Sequence, residues 1–210
     1  MDNTWSTAIG CNPINLGVDI VIESATKYFS GHSDCFCGLI ACSKKNYKKI
    51  FKTKVRFGDF VSAENCYLAI RGLKTLSLRL NRHYLSAQKI YKFLSKQKVI
   101  SSILFPSSKE SKNYHLWKKY HSSGNGLITI KVKKIGNKNP SEFVDNLKFF
   151  KIGFSWGGFE SLILPLETIH PEYKINNNDG YWFRIHVGLE NVDDLKSDLE
   201  NAIGIYETEK

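Results

Sequence analysis

Apolar and polar positions alternate in distinct registers along this chain, and each register predicts an element. The run Val18-Asp19-Ile20-Val21-Ile22-Glu23 is apolar enough for a buried strand, and Gly38-Leu39-Ile40-Ala41-Cys42 reads as a second one. Basic residues from Lys44 to Lys54 predict a surface helix. Leu73, Leu76, Leu80, Tyr84, Ala87, Tyr91 and Leu94 then recur at three- and four-residue steps, which lines one side of a long helix with apolar groups. Beyond residue 100 the period shortens. Ile128, Ile130 and Val132 alternate with Thr129 and Lys131 after the turn Gly124-Asn125-Gly126, as in a half-buried strand. Ser141 is placed to cap a short helix over residues 142–147, and Trp182–Val187 reads as another strand. Asn191 caps a final helix whose stripe is Val192, Leu195, Leu199, Ile203 and Tyr206, with Asp193 and Asp194 near its positive end.

Composition narrows the class. With 210 residues and 42% hydrophobic content, the chain has material for a real core. The net charge of +10 is spread widely, with no nucleic-acid module beside it, so solvated faces account for it and no nucleic-acid partner is expected. Five cysteines lack disulfide-scaffold spacing, and Cys35-Phe36-Cys37 is not a zinc pair. Free thiols in a reducing cytoplasm, no metal and no membrane partner are the expectations. The six histidines show no ligand spacing and are read as packing or surface residues.

Candidate chemistry gathers at four places. Lys27 follows the first predicted strand and lies near two hydroxyls, Ser24 and Thr26. Partial burial disfavours an ammonium, so such a lysine is available as a nucleophile, and the hydroxyls suit a phosphate oxygen. This combination is what pyridoxal 5′-phosphate (PLP) requires. Asp2 lies 25 residues upstream. An aspartate facing a pyridine nitrogen keeps it protonated. Phe154-Ser155-Trp156-Gly157-Gly158-Phe159 carries a double glycine, which implies close backbone approach or positive φ. Arg184, inside an apolar strand, needs a partner: a structural carboxylate or a substrate carboxylate.

In order and spacing these groups resemble the PLP-dependent Cys/Met metabolism enzymes. The resemblance is carried by Asp2-Asn3-Thr4-Trp5, Ala25-Thr26-Lys27-Tyr28, Gly31-His32-Ser33-Asp34, Arg71-Gly72-Leu73-Lys74-Thr75-Leu76, Ser155-Trp156-Gly157-Gly158 and the Arg184 strand. The Trp-Gly-Gly form points to the bacterial cystathionine beta-lyase branch. The resemblance covers the C-terminal half of such enzymes. It implies an α/β fold: the remainder of the large PLP-binding domain of an aspartate-aminotransferase-like (fold type I) enzyme over residues 1–73, then a small C-terminal α/β domain with its linking helix over 74–210.

The resemblance also implies roles. Lys27 would bind PLP covalently and move the substrate proton. Asp2 would meet the pyridine nitrogen, and Ser24 and Thr26 the phosphate. Ser155 and Arg184 would position the α-carboxylate of a sulfur amino acid, with Trp156 as a pocket wall. The implied reaction converts cystathionine to homocysteine, pyruvate and ammonia, in a cytoplasmic homotetramer. Phe154 departs from the expected tyrosine. Alternatives stay open: a truncated inactive remnant, one half of a split enzyme needing a separate N-terminal half, or another family activity such as cysteine desulfhydration. Strands left without the rest of their sheet would expose an edge and an apolar face.

Overall fold

The computed structural model describes residues 1–166 and 179–208. Seven helices and seven strands are found among them: α1 (Thr7–Gly10), β1 (Ile20–Ser24), β2 (Gly38–Cys42), α2 (Lys44–Arg56), α3 (Ala63–Leu73), α4 (Leu76–Leu94), β3 (Ile100–Leu104), α5 (Tyr114–Tyr120), β4 (Leu127–Lys133), α6 (Pro140–Val144), β5 (Lys151–Ile152), β6 (Leu162–Leu166), β7 (Gly180–His186) and α7 (Val192–Glu207). The chain is α/β, with a two-stranded sheet β1-β2 and a five-stranded sheet in the order β3-β4-β7-β6-β5. The larger sheet is mixed: β5 and β6 run parallel, and the other pairs are antiparallel.

The larger sheet is built as its alternation requires. Ile128, Ile130 and Val132 of β4, with Phe183 and Ile185 of β7, point into one core against α4 and α7. All five stripe residues of α7 are buried there, and Asn191 caps that helix by accepting the Asp193 N–H at 2.9 Å. Asp198, on the same helix, accepts the backbone N–H groups of Lys148, Phe149 and Phe150, which fixes the approach to β5. β4 is not half-buried, as alternation implied. Lys131 is buried too, because its ammonium bonds Asp179 and lies over the Trp182 ring.

Other local readings are corrected. The short helix near 140 is capped by Asn139, not Ser141. Asn139 and Glu142 form a capping box around Pro140, and Ser141 sits inside the first turn. The long stripe is broken: Leu73 ends α3 and is exposed, Thr75 precedes α4, and the buried stripe starts at Leu76. Two predicted buried strands are largely exposed. In β1 only Val21 is buried while Ile22 is 48% exposed, and Ile40 of β2 is 55% exposed. Hydrophobicity predicts that such a face should be covered, and no described residue covers it. Tyr47, Phe51 and Val55 of α2 and Tyr67 and Ile70 of α3 add to this exposed apolar surface. The outer edge of β2 is free of any described strand.

Hydrogen bonds join the N-terminal segment to the loop that leads into β4. Asn125 donates to Trp5 O at 2.6 Å, and Ser122 N donates to Gly10 O at 2.8 Å. Tyr28 packs with Leu76, Leu80 and Trp156, and its buried hydroxyl accepts the Gly126 N–H.

Candidate functional site

β1 ends at Ser24, and a turn carries the chain to Lys27, with Lys27 N bonding Ser24 O at 3.1 Å. Asp2 bridges to Ile22 alongside β1. Asp2, Ser24 and Thr26 therefore line one cleft of about 610 Å³ between the small sheet and α2. The Asp2 carboxyl is held below its ordinary range, chiefly by hydrogen bonds from the Thr4 side chain and backbone. The cleft thus holds an ionised carboxylate. Thr26 Oγ1 accepts the Cys37 N–H at 3.1 Å and keeps its own proton to donate.

Lys27 is not among the residues lining that cleft. Its ammonium turns to a second group, where it donates to Ser155 Oγ at 2.7 Å and lies 5.3 Å from the centre of the Trp156 ring. This places the predicted lysine, serine and tryptophan together across 128 residues of sequence. Gly157 makes the approach possible. It has φ +87°, and a Cβ there would lie 2.9 Å from Tyr28 N and 3.1 Å from Lys27 Cβ. The close approach and positive φ expected of the double glycine are both found at this residue.

Arg184 completes the group. On β7 its side chain faces the 154–158 segment, and one guanidinium nitrogen, Nη2, donates to Phe154 O and Ser155 O. A structural carboxylate is not what answers it among the described residues. Main-chain carbonyls do so. Nε and Nη1 have no acceptor among the described residues.

Burial, then the nearby Arg184 charge, lowers the Lys27 pKa below the ordinary lysine value. Arg184→Gln removes the second cause and leaves the first. The Lys27 pKa is expected to rise but to stay below that of a surface lysine. Competitive amine labelling against pH measures it, and an unchanged Lys27 value would show that the Arg184 field does not reach the amine.

Sequence reasoning missed three residues here. His186 is fully buried, with Nε2 3.1 Å from Gly157 N and 3.0 Å from Gly158 O. His83 is fully buried and donates from Nδ1 to Val187 O at 2.8 Å. Arg79, 6% exposed, donates to Tyr28 O, Phe29 O and Gly72 O, directly behind Lys27. One signal was available: His186 lies two residues after Arg184, so strand alternation puts both on one face. The other two depend on contacts between distant segments. Among the described residues no cluster of His, Cys, Asp and Glu could hold a metal ion. No described helix is long and apolar enough to cross a membrane.

Comparison with known proteins places this geometry. The family model for Cys/Met metabolism PLP-dependent enzymes matches residues 1–204. The chain is 34% identical over 206 residues to the cystathionine beta-lyase of Escherichia coli K12, covering 95% of this chain and 52% of that protein. It is 36% identical over 205 residues to an L-alanine/L-glutamate racemase of Wolbachia pipientis, covering 96% and 51%. A cystathionine gamma-lyase from Lactobacillus plantarum, solved with L-serine, superposes with a TM-score of 0.87 at 28% identity, over 98% of this chain and 55% of that one. The chain spans about half the length of the curated relatives it matches.

Proposed function

Because the chain belongs to the Cys/Met metabolism PLP-dependent enzyme family, we propose that it supplies the lysine side of a carbon–sulfur beta-lyase site acting on a sulfur amino acid, cystathionine first. The observation that carries this reading is the Lys27 amine on Ser155 Oγ, beside Trp156 and an Arg184 with donors to spare. The residues present fit the cofactor. An ionised carboxylate and two hydroxyls share one cleft, and a lysine of lowered pKa follows Thr26 directly, with its amine turned towards Ser155 outside that cleft. Asp2 would meet the ring nitrogen, Ser24 and Thr26 the phosphate, and Lys27 the aldehyde carbon. When bound, PLP supplies an electron-accepting ring that delocalises the charge left as substrate bonds break.

The chain's own residues do the rest. Arg184 donates to the substrate α-carboxylate, and Ser155 orients it. The Lys27 amine, uncharged more readily than a surface lysine, takes the α-proton. Trp156 walls the site and limits water. With one water consumed, cystathionine yields homocysteine, pyruvate and ammonia. Partners follow from the exposed β1-β2 face. A polypeptide equivalent to the other half of the relatives would cover it, within a homo-oligomer.

The test is covalent and does not need turnover. The chain is incubated with PLP and reduced with borohydride, and adducts are mapped by mass spectrometry. The Lys27 peptide should be the dominant site, with at least about tenfold less adduct in that region for Lys27→Ala. Adducts spread evenly over surface lysines would sink the reading. The relative named as a racemase supports a second outcome from the same α-proton step. If turnover is obtained with the complementary half present, pyruvate from cystathionine favours the lyase, and a D-amino acid without pyruvate favours racemisation.

A further inference from the structure

We infer that His186 is a positioning residue of the Lys27 site: its Nε2 takes the Gly157 N–H and so holds the Trp156–Gly158 turn against the Lys27 backbone. β7 grips the 154–158 segment at two points. Arg184 holds the carbonyls at 154 and 155, and His186, two residues on and on the same face, reaches 157 and 158. Between these grips lie Ser155, which receives the Lys27 amine, and Trp156, which lies over it. Gly157 rests on the Lys27 main chain so closely that even a methyl group would collide. Any shift of the turn therefore moves the Ser155 hydroxyl relative to the amine.

One nitrogen cannot serve both of its neighbours. Nε2 either accepts from Gly157 N or donates to Gly158 O. Nδ1 is buried and has no partner among the described residues, so each state leaves one buried N–H unpaired, and the bond from Gly157 requires the state with Nε2 bare and the proton on Nδ1. The ring is uncharged, since burial, reinforced by His83, pushes its pKa down to about 3. His83 steadies the same strand end through Val187 O. Because His186 carries no charge, an amide can replace it without altering the field at Lys27.

The assignment rests on the reading of Lys27 as the working amine. ¹⁵N NMR of the unaltered chain should find His186 protonated on Nδ1 and bare on Nε2. A proton on Nε2 would overturn the assignment. His186→Gln places an amide oxygen near the position of Nε2, whereas His186→Asn ends near Nδ1. Competitive labelling should give the Gln variant the unaltered chain's depressed Lys27 pKa and the Asn variant a higher one. Equal Lys27 values in the unaltered and Asn chains, whatever happens to their melting temperatures, would mean that His186 only packs. Should the Asn chain fail to fold, the Gln chain decides: a retained low value supports the assignment, and a return to an ordinary lysine value overturns it. A Lys27 that labels like a surface lysine in the unaltered chain sinks the reading of Lys27 itself, and the role of His186 with it. A depressed Lys27 that ignores the substitution sinks only the latter.

Discussion

Arg79→Ala is expected to lower folding stability by about 3–4 kcal/mol and to loosen the chain directly after Lys27. The Arg79 guanidinium donates to Thr75 Oγ1, Tyr28 O, Phe29 O and Gly72 O, at 2.7–3.0 Å. Bonds to a charged group contribute roughly 1.5–3 kcal/mol each, so four of them gross about 6–12 kcal/mol. Burying a guanidinium that has no carboxylate partner costs several kcal/mol, which offsets part of that sum. The bonds win because the carbonyls at 28 and 29 have no other donor among the described residues. For a chain of this size the loss corresponds to a fall in melting temperature of roughly 10 °C, read by circular dichroism.

Gly31 offers an independent check on the same contact. Its φ is +69°, and a Cβ there would stand 1.9 Å from Arg79 Nη1. Gly31→Ala therefore displaces the guanidinium as well as straining the backbone. In the Arg79→Ala background only the backbone cost remains, about 1–2 kcal/mol. The two substitutions should be strongly sub-additive. Additive losses would mean that Arg79 does not hold this loop.

Acid should destabilise the fold well before its carboxylates are protonated. Burial pushes the pKa of His83 down to about 4, with the Arg79 charge contributing, and that of His186 down to about 3. Both lie below the ordinary value of 6.5. The unfolded chain thus binds these protons first. The stabilisation is complete above about pH 6.5 and is lost as pH falls from there towards the folded-state values. Within that window each histidine costs about 1.4 kcal/mol per pH unit, so the pair removes about 4 kcal/mol by pH 5. Against a typical total of about 5–15 kcal/mol, that loss is a large share. Melting temperature should drop steeply between pH 7 and pH 5. The variant His83→Asn with His186→Gln keeps amide groups near the two bonding nitrogens without titrating, so its melting temperature should fall far less. Parallel curves for the two proteins would refute the account.

Much of this structure was legible beforehand, for reasons that differ by element. The α7 stripe, its Asn191 cap and the inward residues of β4 were readable because helix and strand periods are local properties of the backbone. Lys27, Ser155, Trp156 and Arg184 were legible as motifs, and the fold brings them together. The α3–α4 break was not, since Leu73 continues the hydrophobic period and only the turn at Lys74–Thr75 interrupts it. Exposure of β1 and β2 was misread strand by strand, because hydrophobicity records what a face needs and not which segment meets it. The exposed edge and apolar face expected of an incomplete sheet are present at that same place.

The order of residues along the chain is enough to specify residue chemistry, helix and strand period, capping and family membership, because each depends on neighbours within a few positions or on a spaced motif. It leaves open where each polar group finds its partner. Arg184 meets carbonyls 29 and 30 positions away, Arg79 reaches Tyr28 across 51, and Lys27 finds Ser155 across 128. The same holds for His186, which looks like a packing residue in the sequence and lies in the fold with one nitrogen between Gly157 and Gly158. Such pairings arise when separate segments pack and buried donors and acceptors must be satisfied together, and no local period encodes that requirement.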